Sequence, residues 1–477
     1  MSLGETPLED QTAAAGQAVA PRPTVEEAVL AGIPAAVSDL SRLVRIPSVS
    51  WGAFDPAHVA ASAEAVAELF RSTGVFDSVD IRRSAMAGTD ELGHPAVLAS
   101  RAAKNGKPTV LLYAHHDVQP PGDDAGWDSP PYEPTVRGDR LYGRGASDDK
   151  AGVMTHVAAI RALAEATGGD FDLGLAVFIE GEEEYGSKSF AAFLEDNREA
   201  LSADVIIVAD SDNWDVDTPA VTVALRGNVA FRLTVRTLEH ASHSGMYGGA
   251  APDAMLAAIR LLDSFWDADG AVAVDGLESA GLDVPEFSED DLRRDAGFVA
   301  GVLPLGRGPV LSRLWAQPAI TITGIDAPTV ENASNTLVPE VTVKVSARIA
   351  PGQTATDAFV ALQAHIDAHR PFGAEARIWD VDLGNPFLVD TSGWAIDELK
   401  AAMRDGWGRD AVETGIGGSI PFIADLVRVF PAAQILVTGV EDPDTRAHSP
   451  NESQHLGVLK RSILTEALFL QRLDGRG

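Results

Sequence analysis

The sequence predicts an α/β protein: a mostly parallel sheet flanked by helices, interrupted by an inserted α+β segment. Three observations lead there. Short apolar runs such as Thr-Val-Leu-Leu-Tyr-Ala at 109–114 and Asp-Val-Ile-Ile-Val-Ala at 204–209 read as buried strands. Helical patterns, notably 150–166, separate some of these runs, as in layered α/β folds. After Leu225-Arg226-Gly227 the pattern changes to the alternation of a half-exposed strand.

Residues 1–22 are rich in Ala, Gly, Gln and Pro without periodicity and read as a disordered arm. Order is expected from Thr24, which forms a Thr-x-x-Glu capping box with Glu27. Asp55-Pro56 opens a helix to about Phe70, with Asp as N-cap and Pro in the first turn. Strands follow at 95–100, 109–114, 173–179 and 204–209. Beyond residue 226 the order is strand (229–238), helix (about 252–264), a long irregular stretch, strands at 318–323 and 339–348, helix (354–369) and strand (about 376–383). That β-α-β-β-α-β order is the ferredoxin-like arrangement. A helix at 393–405, a strand at 433–438 and a helix from about 453 resume the first pattern. The expected organisation is a catalytic domain over 23–225 and 386–477, with 226–385 inserted.

Composition narrows the chemistry. The chain has 477 residues, a formal net charge of −33 and no cysteine. A polyanion is not expected to bind duplex nucleic acid or an anionic membrane. Without cysteine there are no disulfides, thiolate nucleophiles or thiolate metal sites, so any metal must be held by His, Asp and Glu. No basic segment leading into an apolar stretch marks a secretion signal, no apolar run is long enough to span a bilayer, and a cytoplasmic location is expected.

Five features at or after strand ends then stand out. In Tyr113-Ala114-His115-His116-Asp117, the His-x-Asp spacing lets His115 bind a metal while Asp117 takes its other ring nitrogen, fixing the tautomer. Gly143-Arg144-Gly145-Ala146-Ser147-Asp148-Asp149-Lys150 precedes a helix and resembles a phosphate loop. The third Gly is replaced by Asp148, whose carboxylate repels pyrophosphate. Glu180-Gly181-Glu182-Glu183-Glu184 ends another strand, where packed carboxylates are costly unless protonated or countered by cations. Asp210-Ser211-Asp212-Asn213-Trp214 fails as a calcium loop because Asp215 stands where Gly is needed and Val221 where Glu is needed. Ala447-His448-Ser449-Pro450-Asn451-Glu452 follows the 433–438 strand. Singly each has an ordinary explanation as a cap or solvated turn. Together they place two His and several carboxylates at neighbouring strand ends, the donor set of a two-metal site. Three ligating carboxylates contribute about −3 and a hydroxide about −1, which two divalent ions offset.

These motifs resemble the co-catalytic di-zinc amidohydrolases, a family that includes carnosine-type dipeptidases, aminoacylases, acetylornithine deacetylase and glutamate carboxypeptidase. The resemblance runs from about Ser41 to the end and is nearest the carnosine/cytosolic non-specific dipeptidase branch. It rests on the runs 113–120, 126–130, 141–150, 183–187, 211–213, 242–249 and 446–452. It implies a phosphorylase/hydrolase-like catalytic domain, a lid and dimerisation role for the insert, and a homodimer. It implies two Zn²⁺ per subunit, in sites that also accept Mn²⁺ or Co²⁺. His115 and Asp212 would hold one ion, Glu184 and His448 the other, with Asp148 bridging and a cis peptide at 148–149. Asp117 would orient His115, and Glu183 would be the general base. Glu-Glu-x-Gly-Ser selects Glu183 and Glu184 from the three consecutive glutamates. His243 would polarise the scissile carbonyl, reaching over from a partner subunit. Arg348 would grip the substrate carboxylate, and Asn335, Gly417, Gly418 and Ser419 would contact substrate. His58, His94, His116, His156, His240, His365, His369 and His455 are left as structural or surface. The implied activity is hydrolysis of a dipeptide, with removal of an N-acyl group from an amino acid as the alternative and a non-catalytic metal-stabilised binding protein as the more distant one.

Overall fold

The computed structural model describes residues 22–389, 391–417 and 421–476. The expected N-terminal arm falls outside these, apart from Arg22. The first helix, Val25–Val44, starts at the capping box: Glu27 N–H donates to Thr24 Oγ1 (3.2 Å), and Thr24 N–H donates to the Glu27 carboxylate (2.8 Å). Pro56–Ser72 is capped by Asp55.

A nine-stranded sheet forms the centre. Its order is Ser78–Arg82, Ala96–Arg101, Gly174–Glu180, Thr109–His115, Val205–Val208, Gln434–Thr438, Ala220–Leu225 and Phe387–Leu388, with Val412–Ile416 also paired to Ala220–Leu225. The expectation of a mostly parallel sheet needs correction. The four central strands, from Gly174–Glu180 to Gln434–Thr438, are mutually parallel, but the flanks include antiparallel pairs. For Ala96–Arg101 the reason is connection length. Only residues 102–108 separate Ala96–Arg101 from Thr109–His115, too few for the crossover a parallel pair needs.

Helices cover both faces. Val25–Val44, Lys150–Thr167 and Leu456–Gly475 pack on one face around Leu40, Val157, Leu163 and Leu470. Phe190–Asp196 and Pro421–Val429 pack on the other, where Tyr113, Phe178, Phe190, Phe193 and Phe422 form an aromatic cluster.

Residues beyond 226 build a second, four-stranded antiparallel sheet: Ala319–Asp326, Glu340–Ile349, Gly227–Arg236 and Glu375–Gly384. Gly227–Arg236 alternates strictly between buried and half-buried residues. Helices Ala254–Asp263 and Ala355–Ala368 close its buried side around Phe231, Leu233, Leu261 and Leu362. The chain order of these elements is the β-α-β-β-α-β order expected from the sequence.

Candidate metal centre

The central parallel strands all end at one edge of the sheet, the usual place for a site in such folds. His115 is the last residue of its strand and is 1% exposed. Its Nδ1 lies 3.2 Å from the Asp117 carbonyl oxygen and 3.4 Å from Asp117 Oδ1. Its Nε2 faces Asp148 Oδ1 at 3.1 Å and Asp210 Oδ1 at 3.8 Å. Asp148 stands at the end of the 143–148 loop, where its peptide bond to Asp149 is cis. Asp149 caps the helix Lys150–Thr167 and accepts the His115 backbone N–H at 3.1 Å.

The other oxygen of Asp148, Oδ2, lies 2.9 Å from His448 Nε2. The same nitrogen is 3.3 Å from Glu184 Oε2. Two groups of three donors therefore form, His115/Asp148/Asp210 and Asp148/Glu184/His448, and within each the donor atoms lie within 4.8 Å of one another. Asp148 belongs to both and offers each a different oxygen. These donors, all imidazole or carboxylate, fit a pair of divalent ions sharing one carboxylate.

Supporting bonds fix the donors. The Gln119 backbone N–H and its side-chain Nε2 donate to Glu184, at 3.1 Å to Oε1 and 2.6 Å to Oε2 respectively. Asp117 is fully buried and accepts from Ser50 Oγ (2.7 Å), Glu183 N–H (3.1 Å) and Glu184 N–H (3.1 Å). Burial works against its charge, but the bonds from His115 and Ser50 prevail and hold its pKa below the ordinary value.

Electrostatics mark the site as short of positive charge. Burial, with the field of Asp148, raises Glu184 to about 7. Burial likewise raises Asp210 to about 6. Glu183 is pushed well up, by burial first and then by Asp210 and Glu184. His448 is raised to about 11 by its bonds to Asp148 and Glu184, so a proton occupies the place between those carboxylates.

Of the expected ligands, the structure brings together His115, Asp148, Glu184 and His448. Asp212 does not join them, and Asp210 stands in its place. The local pairing explains the difference. Asp212 bridges to Glu441, and Asn213 N–H donates to the Glu441 carbonyl at 2.9 Å. Asp212 is thereby directed to the segment after Gln434–Thr438. Strand alternation carried two residues past Val208 places Asp210 and Asp212 on one side, with Asp210 nearer the strand end; that was the available signal.

Glu183 follows the strand Gly174–Glu180 and is half-buried beside Asp117. His243 and Asn335 come together elsewhere. His243 pairs with Thr336 in a two-stranded ribbon, and Ser244 N–H donates to the Asn335 carbonyl at 2.9 Å. Both residues are exposed, and among the described residues neither belongs to the two donor groups. Arg348 lies opposite Asn228 in the second sheet and is half-buried. Arg226, missed in the sequence, sits just before that ladder, 7% exposed, and donates to the Gly417 carbonyl at 3.2 Å. Burial and the nearby charge of Arg348 lower its pKa to about 10. Gly418 and Ser419 lie outside the described residues.

Comparison with known proteins agrees. The model of peptidase family M20/M25/M40 matches residues 111–472. A cysteinylglycine-S-conjugate dipeptidase of Corynebacterium striatum is 35% identical over 394 residues, covering 80% of this chain and 86% of the relative. The solved structure of the di-peptidase Dug1p from Saccharomyces cerevisiae superposes with a TM-score of 0.78 at 23% identity, over 95% of this chain and 98% of that one. Human carnosine dipeptidase 1 gives 0.76 at 24% identity, over 96% and 100%. With its sheet, its paired donor groups and most of its length thus accounted for, the chain belongs to peptidase family M20/M25/M40, in the branch of its dipeptidases.

Proposed function

We propose that this protein hydrolyses dipeptides by a two-metal mechanism. The observation that carries the reading is Asp148, whose two oxygens face two separate donor groups. His115, Asp148 and Asp210 would hold one ion, and Asp148, Glu184 and His448 the other. Such ions supply Lewis acidity toward the scissile carbonyl and make an intervening water more acidic. Zn²⁺ is the proposed occupant, and Mn²⁺ or Co²⁺ suits the same donors.

Glu183 is the proposed base. Its raised pKa suits a group that takes a proton from the attacking water and returns it to the leaving amine. Asp117 holds the Glu183 and Glu184 backbone while orienting His115, so one carboxylate positions ligand and base together. Arg348, whose charge is felt at Arg226, offers a guanidinium to the substrate's terminal carboxylate. Gly417, Gly418, Ser419 and Asn335 complete the proposed substrate contacts.

The segment 226–385 is proposed as lid and dimerisation domain. His243 supports this: it stands exposed on its ribbon, outside the two donor groups, as a donor for a partner subunit's site would. Exposed Met246 and Tyr247 beside it offer apolar contact area. An edge-on contact of Phe287 with Trp214, ring centres 6.3 Å apart, ties the segment to the loop after Asp210. A cytoplasmic homodimer acting on small substrates is the corresponding proposal. Among the described residues no helix is long and apolar enough to cross a membrane.

The test is a panel of unblocked dipeptides and N-acetyl amino acids, assayed after chelation and again after adding Zn²⁺, Mn²⁺ or Co²⁺. Metal-restored cleavage of dipeptides is expected. A preference for N-acetyl amino acids would assign the deacylase reaction instead, and no metal-dependent turnover of either would overturn the enzyme reading.

A further inference from the structure

The 143–148 loop carries the shared ligand, and its main chain is held from the far end of the sequence. Glu452 is fully buried four residues after His448. Its Oε1 accepts the N–H groups of Ser147 and Asp148, both at 3.1 Å. Its Oε2 accepts the Gly145 N–H at 3.1 Å and the Arg144 guanidinium. The backbone reciprocates, since Gly143 N–H donates to the Glu452 carbonyl at 3.0 Å. Arg144 is also buried, and its Nη2 reaches the Pro120 carbonyl at 3.4 Å, beside the Gln119 that holds Glu184. One carboxylate thus joins the segments that present Asp148 and His448, and through Arg144 it approaches the segment that positions Glu184.

We propose that Glu452 is a positioning residue that sets the separation of Asp148 from His448 and thereby the affinity of the Asp148/Glu184/His448 group for its ion. The inference rests on the two-metal reading above. A neutral amide of the same size cannot satisfy all four donors: it accepts at one oxygen and presents N–H to the donors on the other side. The loop then shifts relative to His448. His115 and Asp210, on their own strand ends, keep their places.

The experiment titrates Co²⁺ into the metal-free full-length chain and follows the visible absorption band of each bound equivalent, with circular dichroism and thermal melting alongside. Wild type is expected to take up two equivalents. Glu452→Gln should bind the Asp148/Glu184/His448 equivalent about 10- to 100-fold more weakly, and the other equivalent, which also uses Asp148 but keeps His115 and Asp210 in place, more weakly by less. Arg144→Lys, which keeps the charge but loses the planar fork, should weaken the Asp148/Glu184/His448 equivalent by less than Glu452→Gln does and serves if Glu452→Gln does not fold. Ser147→Ala removes only the Ser147 Oγ bond to Gln454 at 2.8 Å and should leave both equivalents intact, even if melting falls. Folded Glu452→Gln or Arg144→Lys protein that binds both equivalents as wild type does, or loses both equally, overturns the assignment of Glu452. A wild-type chain that takes up no second equivalent removes the two-metal reading, and this inference with it.

Discussion

Asp117→Asn is the sharpest test of how the centre is held. The wild-type carboxylate accepts from Ser50 Oγ and Glu184 N–H on Oδ2, and from Glu183 N–H on Oδ1, with His115 Nδ1 also 3.4 Å from Oδ1. Asparagine has one accepting oxygen. If that oxygen takes the Oδ2 place, the amide N–H₂ faces the Glu183 N–H and the His115 ring. If it takes the Oδ1 place, the Glu184 N–H is orphaned. Either way a buried donor loses its acceptor, costing about 1–3 kcal/mol, and the surviving bonds lose their charge assistance, about 1 kcal/mol more. The sum, about 2–4 kcal/mol, falls where the base and two ligands are positioned. Metal affinity should drop about 10- to 100-fold, the usual effect of losing a carboxylate behind a ligating His. Calorimetric Zn²⁺ titration and thermal melts of the metal-free chain read the two effects separately. Folded Asp117→Asn protein that melts within a degree of wild type and binds Zn²⁺ with unchanged affinity would refute the reasoning.

Other expectations follow from the same geometry. Glu183→Gln should keep metal binding and lose about 10²- to 10⁴-fold in kcat, as removal of a general base does; full activity would disprove its role. Asp210→Asn should weaken metal uptake more than Asp212→Asn, measured as bound metal after dialysis against a dilute metal buffer, and the reverse order would restore Asp212 as the ligand. In the core, His156 bonds Glu466 at 2.9 Å and the Tyr113 carbonyl at 3.0 Å. Burial opposes its charge, but Glu466 prevails and raises its pKa. The stabilisation is therefore full below about 6.5, the unfolded value, and is lost as pH rises through the higher folded value. Melting profiles should show His156→Gln closing its deficit against wild type as pH rises above 7; a constant deficit would count against the charged pair.

Much of the architecture is legible in the sequence because local chemistry sets it. Thr24 and Glu27 announce the first helix, and both capping bonds form. The runs at 109–114 and 173–179 are strands because β-branched and aromatic side chains fill both faces of a buried sheet. What was illegible depends on partners far along the chain. Strand direction at the sheet's flank follows from the short 102–108 connection rather than from any run's composition. Asp210 and Asp212 are chemically identical, and only the bridge to Glu441, more than 200 residues later, turns one away from His115. Glu452 reads as a plain acidic residue at the end of a motif, and its role appears only once the 143–148 loop is wrapped around it. The short hairpin Thr135–Arg137 and Arg140–Tyr142 carries too few residues for periodicity to register.

Metal removal brings these strands together, because the same charges then compete for protons. Without ions, Glu184 rises to about 7 and Asp210 to about 6, from ordinary values near 4, and His448 rises to about 11. In each case the folded chain binds protons more tightly than the unfolded chain does, so stability falls as pH rises through the window between the two values. For the carboxyls that window runs from about 4 to about 7, and for His448 it begins near 6.5 and continues into the alkaline range. Asp148 has the opposite sign, since His115 and His448 overcome its burial and lower it, but its window lies below pH 4 and leaves the slope near neutrality unchanged. The metal-free chain should therefore melt progressively lower between pH 5 and 8, whereas ions that occupy the proton sites should flatten that slope and raise melting most at the alkaline end. Parallel slopes with and without Zn²⁺ across this range would mean that the three carboxylates and two imidazoles are not the groups the metal engages.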